Sequence, residues 1–121
     1  MAPNSSGPPS VVLLVEDEPM IAMNTQMLLS AIGIDQVHTA STVSEAFELI
    51  DREDFDFAIL DISLGDESGV PVAERLCRNA VRLVITTGFE DVDLPPGCEG
   101  TPILRKPYRL KDLETILLSG V

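Results

Sequence analysis

The sequence is poor in aromatic and in basic residues. Trp is absent, aromatic residues make up 4% of the chain, and 8 Lys and Arg stand against 20 Asp and Glu, so the net charge is −12. The first shortage means that any hydrophobic core must be aliphatic. The second argues against a nucleic-acid ligand, because its phosphates would repel this surface, and it is compatible with cation binding or a basic partner.

Cysteines are few and long hydrophobic runs are missing. Cys77 and Cys98 show no metal-ligand spacing, and we expect two free thiols in a reducing cytosol rather than a disulfide. No apolar stretch approaches the roughly 18 residues of a membrane span, and the first residues given lack the basic and apolar regions expected of a signal peptide. A cytoplasmic location is therefore expected.

The chain length allows one domain. Residues 1–10, "MAPNSSGPPS", contain almost nothing apolar to bury and are expected to form a disordered tail. The remaining residues, 11–121, then form a single domain of ordinary size.

Strand-like and helix-like segments alternate along this domain. The predicted strands are 11–15, 36–39, 55–60, 82–88 and 101–107. The predicted helices are 19–31, 42–54 with Ser44 or Thr42 as its cap, 70–80 and 109–120. The first should end before Gly33 and bury Ile21, Leu28 and Ile32, whereas the prolines and glycines of 89–100 leave room only for a short or disordered helix.

This alternation predicts an α/β fold with a parallel sheet covered on both faces. Five strands suit a flavodoxin-like (βα)5 three-layer sandwich with strand order 2-1-3-4-5. In such a sheet, ligands bind at the carboxyl ends of the strands.

Polar residues stand at four of these carboxyl ends. They are Glu16 and Asp17 after the first strand, Asp61 after the third, Thr86 and Thr87 at the end of the fourth, and Arg105 and Lys106 at the end of the fifth. Each alone could be a turn cap or a solvated side chain. Because four separate strand ends supply matching groups, we expect one functional site at this edge of the sheet.

Three of these residues are carboxylates that would repel one another. Two charges about 4 Å apart cost roughly 4 kcal/mol at an effective dielectric constant of 20. Carboxylate oxygens suit Mg²⁺, so we expect a Mg²⁺ site at Glu16, Asp17 and Asp61. Asp61 is then a candidate nucleophile that forms an aspartyl phosphate, with Lys106 and the Thr87 hydroxyl neutralising phosphoryl oxygens.

The motifs that carry these residues resemble the receiver domain of two-component response regulators. They are "VEDE" (Glu16, Asp17), "ILDISLGDESG" (Asp61), "ITTG" (Thr87) and "RKP" (Lys106, Pro107), and the resemblance spans residues 11–119. It implies that Asp61 accepts phosphate from a histidine kinase or a His-phosphotransfer protein. It also implies direct Mg²⁺ ligation by Asp17, ligation by Glu16 through water, the Ser63 backbone carbonyl as a further ligand, and Thr87 rather than Thr86 at the phosphoryl group.

Three features depart from the family pattern, one of which is the short segment from Gly88 to Thr101. Gly65 stands where proline is frequent, and Ile103 stands where the family usually has an aromatic switch residue. "ITTGF" resembles the Phe-Ala-Thr-Gly-aromatic signature of a subgroup of single-domain receivers. Phe89 is then either the switching aromatic residue or a cover for the core.

The sequence therefore predicts a phosphorylation-activated signalling switch that catalyses only its own phosphorylation and dephosphorylation and acts on a downstream protein. If the chain is complete, it is a stand-alone receiver; alternatively it is a receiver cut from a hybrid kinase or a longer regulator, or an interaction module that is never phosphorylated. Two rivals are disfavoured. An aspartyl phosphatase of the haloacid dehalogenase type needs a second Asp where Ser63 stands, and a His-phosphotransfer protein would place His38 on a helix.

Overall fold

The computed structural model describes residues 9–88 and 92–118. Five parallel strands form one sheet: β1 (Val11–Val15), β2 (Gln36–Ala40), β3 (Phe57–Asp61), β4 (Arg82–Thr87) and β5 (Ile103–Arg105). Their spatial order is β2-β1-β3-β4-β5, so the predicted flavodoxin-like α/β fold and strand order are confirmed. None of the helices in these two ranges is long and apolar enough to cross a membrane.

Four helices lie on the two faces of this sheet within the described residues. They are α1 (Pro19–Ile32), α2 (Val43–Arg52), α3 (Val70–Arg78) and α4 (Leu110–Leu117). A short antiparallel β-hairpin follows β3, and its two strands, Ser63–Leu64 and Glu67–Ser68, have two residues each. Thr42 caps α2, because its Oγ1 accepts a hydrogen bond from the Glu45 backbone N–H.

The core has two layers because side chains alternate along each strand. Leu13 and Val15 of β1 pack toward α2 and α3, while Val12 and Leu14 pack toward α1 and α4. Every residue of β3 is buried. A central strand with both faces covered accounts for the continuous apolar runs in the sequence.

The buried face of α1 agrees in part with the predicted one, because Leu28 and Ile32 pack against the core although they are not the most buried residues of the helix. Thr25 and Leu29 are its fully buried residues, whereas Ile21, Leu28 and Ile32 are half-buried. Thr25 is buried without penalty because its hydroxyl hydrogen-bonds the Tyr108 hydroxyl at 2.7 Å. Thr25 is polar but lies on the core side of α1, so the spacing of apolar residues alone does not predict this buried face.

The link between β4 and β5 contains no helix in its described part. Residues 92–102 form turns, and Gly97 and Gly100 take left-handed backbone conformations with φ of 93° and 83°. This agrees with the expectation that prolines and glycines leave little room for a helix here.

The prediction of two free thiols is wrong for this structure. Cys77 on α3 and Cys98 in the β4–β5 link form a disulfide, with Cα atoms 5.5 Å apart. A turn closed by the Cys98 N–H and the Pro95 carbonyl directs Cys98 back onto α3. Spacing along the chain does not reveal this contact, because the packing of the link against α3 creates it.

Candidate functional site

The carboxyl ends of β1, β3, β4 and β5 meet at one edge of the sheet, beside a cavity of about 700 Å³. Asp17, Asp61, Thr87 and Lys106 line this cavity. Glu16 lies behind them and is 4% exposed. The structure therefore brings together the acids, the hydroxyl and the ammonium group that the sequence placed at this edge.

Lys106 is at the centre of the charge arrangement. Its Nζ lies 2.8 Å from Asp61 Oδ2 and 3.0 Å from Glu16 Oε1. The peptide bond from Lys106 to Pro107 is cis. Because both carboxylates are almost fully buried, the Coulombic attraction within each ion pair is screened less by water than in a surface pair.

The carboxyl group of Glu16 has a strongly raised pKa. Burial raises its pKa to about 7; the negative charge of Asp61 adds to this, while the hydrogen bond from Lys106 opposes it. For Lys106, burial acts to lower the pKa, but the hydrogen bonds to Asp61 and Glu16 outweigh it, so the pKa is raised. The lysine therefore stays charged and partly offsets the repulsion between the acids.

The acids also form a group that can hold a metal ion. Glu16, Asp17 and Asp61 each offer a carboxylate oxygen, and these atoms lie within 4.8 Å of one another. An oxygen-only, carboxylate-rich donor set fits a hard divalent cation. Asp66 and Asp93 also line the cavity, which strengthens its negative field.

The hairpin after β3 lines one side of the cavity. Asp61 Oδ1 accepts a hydrogen bond from the Ser63 N–H at 3.0 Å, and Ser63 is exposed at the cavity lining. The chain returns at Gly69, where an added Cβ would lie 2.7 Å from the Asp61 carbonyl oxygen. Only glycine allows this close approach beside Asp61.

Gly65 has its own backbone requirement. Its φ is 62°, in the left-handed region. Proline fixes φ near −65° and cannot adopt this conformation. The hairpin of this chain thus has a different path from one with proline at this position.

The two threonines of β4 have different surroundings. Thr87 lines the cavity, whereas Thr86 is 1% exposed and its Oγ1 has no hydrogen-bond partner. Arg105 is exposed and does not reach the cavity lining, although the sequence placed it at the same edge. Successive side chains of a strand point to opposite faces, which places Thr87 and not Thr86 at the cavity.

One contact near the site was missed by sequence reasoning. Tyr108 follows Lys106 by two residues and ties this loop to α1 through its buried hydrogen bond to Thr25. Burial raises the Tyr108 pKa, and the charge of Glu16 adds to this. The only sequence signal was an aromatic residue next to "RKP".

Two positions concern the aromatic switch of the family, and only one of them lies within the described residues. Ile103 lies on the edge strand β5 and is 42% exposed. Phe89 lies outside the described residues.

Comparison with known proteins identifies the family of the chain. The family model described as "Response regulator receiver domain" matches residues 12–117. The sensory transduction protein LytR of Staphylococcus haemolyticus is 35% identical over 106 residues, which cover 84% of this chain and 41% of that protein. The chain spans 32% and 26% of the length of two other LytR proteins, from Staphylococcus epidermidis and Staphylococcus saprophyticus.

Solved structures are similar as well. SdrG from Sphingomonas melonis Fr1 has a TM-score of 0.77 and 34% identity, covering 89% of this chain and 92% of that one. A response regulator protein from Burkholderia pseudomallei, solved with a phosphorylated aspartic acid, a calcium ion and citrate, has a TM-score of 0.77 and 25% identity, covering 89% and 66%. With its sheet order, its acid cluster and a family match over almost its whole described length, this chain belongs to the response regulator receiver domain family.

Proposed function

We propose that this receiver domain is a signalling switch in which Asp61 accepts a phosphoryl group. The observation that carries the proposal is the ion pair of 2.8 Å between Lys106 Nζ and Asp61 Oδ2, at the floor of a cavity where three carboxylates converge. A buried acid held beside a fixed ammonium group is oriented for attack and has a cation ready for the incoming charge.

The donor would be a phosphohistidine of a histidine kinase or a His-phosphotransfer protein. A carboxylate oxygen of Asp61 forms a bond to phosphorus, the phosphorus–nitrogen bond breaks, and the imidazole leaves with the electron pair of that bond. Lys106 moves from the carboxylate to a phosphoryl oxygen, and the Thr87 hydroxyl contacts another. Such transfer depends mainly on positioning and charge neutralisation, which these side chains provide.

The residues that would hold Mg²⁺ are Asp17 and Asp61 directly, Glu16 through water, and the Ser63 backbone carbonyl. The cluster within 4.8 Å and the oxygen-only donor set support this assignment. When bound, the ion supplies positive charge that neutralises phosphoryl oxygens during transfer. The acids of the chain hold it, and Lys106 keeps Asp61 oriented.

The output would be a change of surface. We define the output face as β4, residues 92–102, β5 and α4, the elements that surround Thr87 and Lys106 in the chain. A phosphoryl group adds about −1.5 to −2 charges beside Thr87 and Lys106. Their movement toward it would repack the output face and shift a two-state equilibrium.

The reaction would be confined to the protein itself, so the domain would act as a switch and not as an enzyme on other substrates. Its net charge of −12 favours a protein over a nucleic acid as the downstream partner. We place this signalling in the cytoplasm, where histidine kinases present their phosphohistidine.

Labelling by a small phosphodonor tests the proposal. Acetyl phosphate with Mg²⁺ should label the wild-type chain, and Asp61→Ala should abolish the label. Asp66→Asn, at an exposed acid of the same cavity, is the matched control and should be labelled normally. Undiminished labelling of Asp61→Ala would refute the acceptor assignment, and an unlabelled wild type would favour an interaction module that is never phosphorylated.

A further inference from the structure

The disulfide between Cys77 and Cys98 is a feature that phosphoryl transfer does not use. It joins α3 to the link between β4 and β5, across 21 positions of sequence. Cys98 is 1% exposed and belongs to the same core layer as Ala73 and Leu76 of α3. The bond thus fixes the link onto the face of the sheet that α2 and α3 cover.

The surroundings of Cys98 suit the reduced form as well. The Ala73 carbonyl oxygen lies 3.4 Å from Cys98 Sγ. A bonded sulfur has no hydrogen to donate, but after reduction the Cys98 thiol has this carbonyl as its acceptor. Because its polar atoms stay satisfied and its sulfur stays buried, the site can accommodate both oxidation states without exposing the core.

Cys77 provides access to the bond. It is half-buried and borders a surface cavity of about 580 Å³, together with Cys98 and Gly100. This cavity would be the route by which a small thiol or disulfide reaches the Cys77 sulfur. Disulfide exchange requires this access at one of the two sulfurs.

We propose that Cys77 and Cys98 form a reversible redox site that fixes or releases residues 92–102. Oxidation uses a low-molecular-weight disulfide such as oxidised glutathione. The Cys77 thiolate attacks one of its sulfurs, forming a mixed disulfide and releasing one thiolate; the Cys98 thiolate then attacks the Cys77 sulfur and releases the second. The two cysteines lose two electrons, and their two protons pass to the released thiolates.

The position of the link connects this redox site to the acid cavity. Val92 and Asp93 line the cavity beside Thr87, while Cys98 anchors the same link six residues further on. In a reducing compartment, protein disulfides are usually transient and regulatory. Oxidation would restrain the output face in the arrangement seen here, and reduction would free it; this step rests on the proposed function.

The redox site is tested first without phosphate. The chain is equilibrated with oxidised glutathione or with dithiothreitol, and free thiols are counted by alkylation and mass spectrometry. We expect no free thiols after oxidation, two after reduction, full reversibility and no retained glutathione. Amide hydrogen exchange should be about tenfold faster in residues 92–102 of the reduced protein, with little change in Val11–Val15.

The matched control is Cys77→Ala, which keeps the buried Cys98 in place. It should show the faster exchange under both conditions and form no internal bond. Mixed glutathione adducts or dimers in place of the internal bond would overturn the proposal. Equal exchange in the oxidised and reduced protein would overturn the claim that the bond fixes the link.

Acetyl phosphate labelling then measures the connection to Asp61. The initial rate should be about fivefold lower in the oxidised protein, and Cys77→Ala should be insensitive to oxidation. Equal rates in both forms would refute the connection while leaving the redox site intact. If neither form is labelled, the proposed function fails, and the thiol counts and exchange rates still decide the redox site.

Discussion

A single lysine compensates two buried carboxylates in this domain. Lys106 Nζ contacts both Asp61 and Glu16, which are each 4% exposed. Breaking a buried ion pair by removing one partner is far more costly than losing a surface pair, because it leaves an uncompensated charge in the interior. The lysine is therefore expected to matter both for folding without metal and for phosphoryl transfer.

Replacement of this lysine separates Mg²⁺ binding from phosphoryl transfer. Lys106→Ala should still bind Mg²⁺, because the three carboxylates remain, but acetyl phosphate labelling should slow by about a hundredfold, the usual effect of removing one preorganised donor. Calorimetric Mg²⁺ titration and labelling measure the two properties. Lys111→Ala, at an exposed position of α4, is the control and should change neither. Loss of Mg²⁺ binding in Lys106→Ala would contradict the assigned role.

Glu16 predicts a pH dependence of the metal-free protein. Its pKa is about 7 in the fold against 4.5 ordinarily, chiefly because it is buried. The folded state therefore binds this proton more tightly than the unfolded state does. The contribution of Glu16 to stability is greatest below pH 4.5 and is lost as the pH rises through about 7.

Urea unfolding of the wild type and of Glu16→Gln, with a chelator present, measures this contribution. The free energy of unfolding of the wild type, relative to the variant, should fall between about pH 5 and about pH 8. Glu48→Gln serves as the control, because Glu48 lies on α2 away from the acid cluster. A difference that does not change with pH would contradict the raised pKa.

Two helices end with the same hydrogen bonds but with different residues. At the end of α1, Gly33 has φ of 103° and the Ile34 N–H bonds the Leu29 carbonyl. At the end of α3, Ala80 has φ of 61° and the Val81 N–H bonds the Leu76 carbonyl. The left-handed backbone conformation costs glycine little free energy, but it costs alanine about 1 kcal/mol.

Exchanging these residues should change stability in opposite directions. Gly33→Ala should lower the free energy of unfolding by about 1 kcal/mol, and Ala80→Gly should leave it unchanged or raise it by up to about 1 kcal/mol. Chemical denaturation of both variants under the same conditions measures the pair. A loss of stability in Ala80→Gly that exceeds the entropic cost of ordering a glycine would contradict this expectation. It would mean that other contacts already relieve the backbone strain at Ala80.

The elements show which parts of the fold local sequence determines. β1 occupies the predicted residues 11–15 and α1 ends before Gly33, because an uninterrupted apolar run and a glycine stop are local signals. β5 was predicted over 101–107 but spans only Ile103–Arg105, since it is an edge strand that pairs with β4 alone. The length of an edge strand depends on its neighbour more than on its own composition.

The site shows the same difference between features that local sequence determines and features that packing determines. Asp61 and Lys106 could be placed together because all strand ends of a parallel sheet share one edge. The hydrogen bond between Thr25 and Tyr108 and the disulfide at Cys98 could not, because each depends on how a helix and a loop pack after the sheet has formed. Sequence predicted which side chains meet at the edge of the sheet and missed the contacts that hold their surroundings.

The whole molecule carries a net charge of −12, and part of it is concentrated at the cavity. Self-repulsion of this kind destabilises a compact state. Salt screens exposed charges, but it acts less on the buried carboxylates of Glu16 and Asp61. A bound divalent ion should therefore stabilise the domain beyond the effect of ionic strength alone.

Thermal and urea unfolding with and without Mg²⁺ test this expectation. At a free Mg²⁺ concentration of 100 times its dissociation constant, the free energy of unfolding should rise by about 2.7 kcal/mol, because the ion binds the folded state and not the unfolded chain. NaCl at matched ionic strength gives the screening contribution, which must be subtracted. Asp17→Asn should lose most of the remaining gain, and Asp66→Asn, at an exposed acid of the same cavity, should keep it. If NaCl reproduces the whole effect, the carboxylates of Glu16, Asp17 and Asp61 act only as surface charge and hold no specific ion.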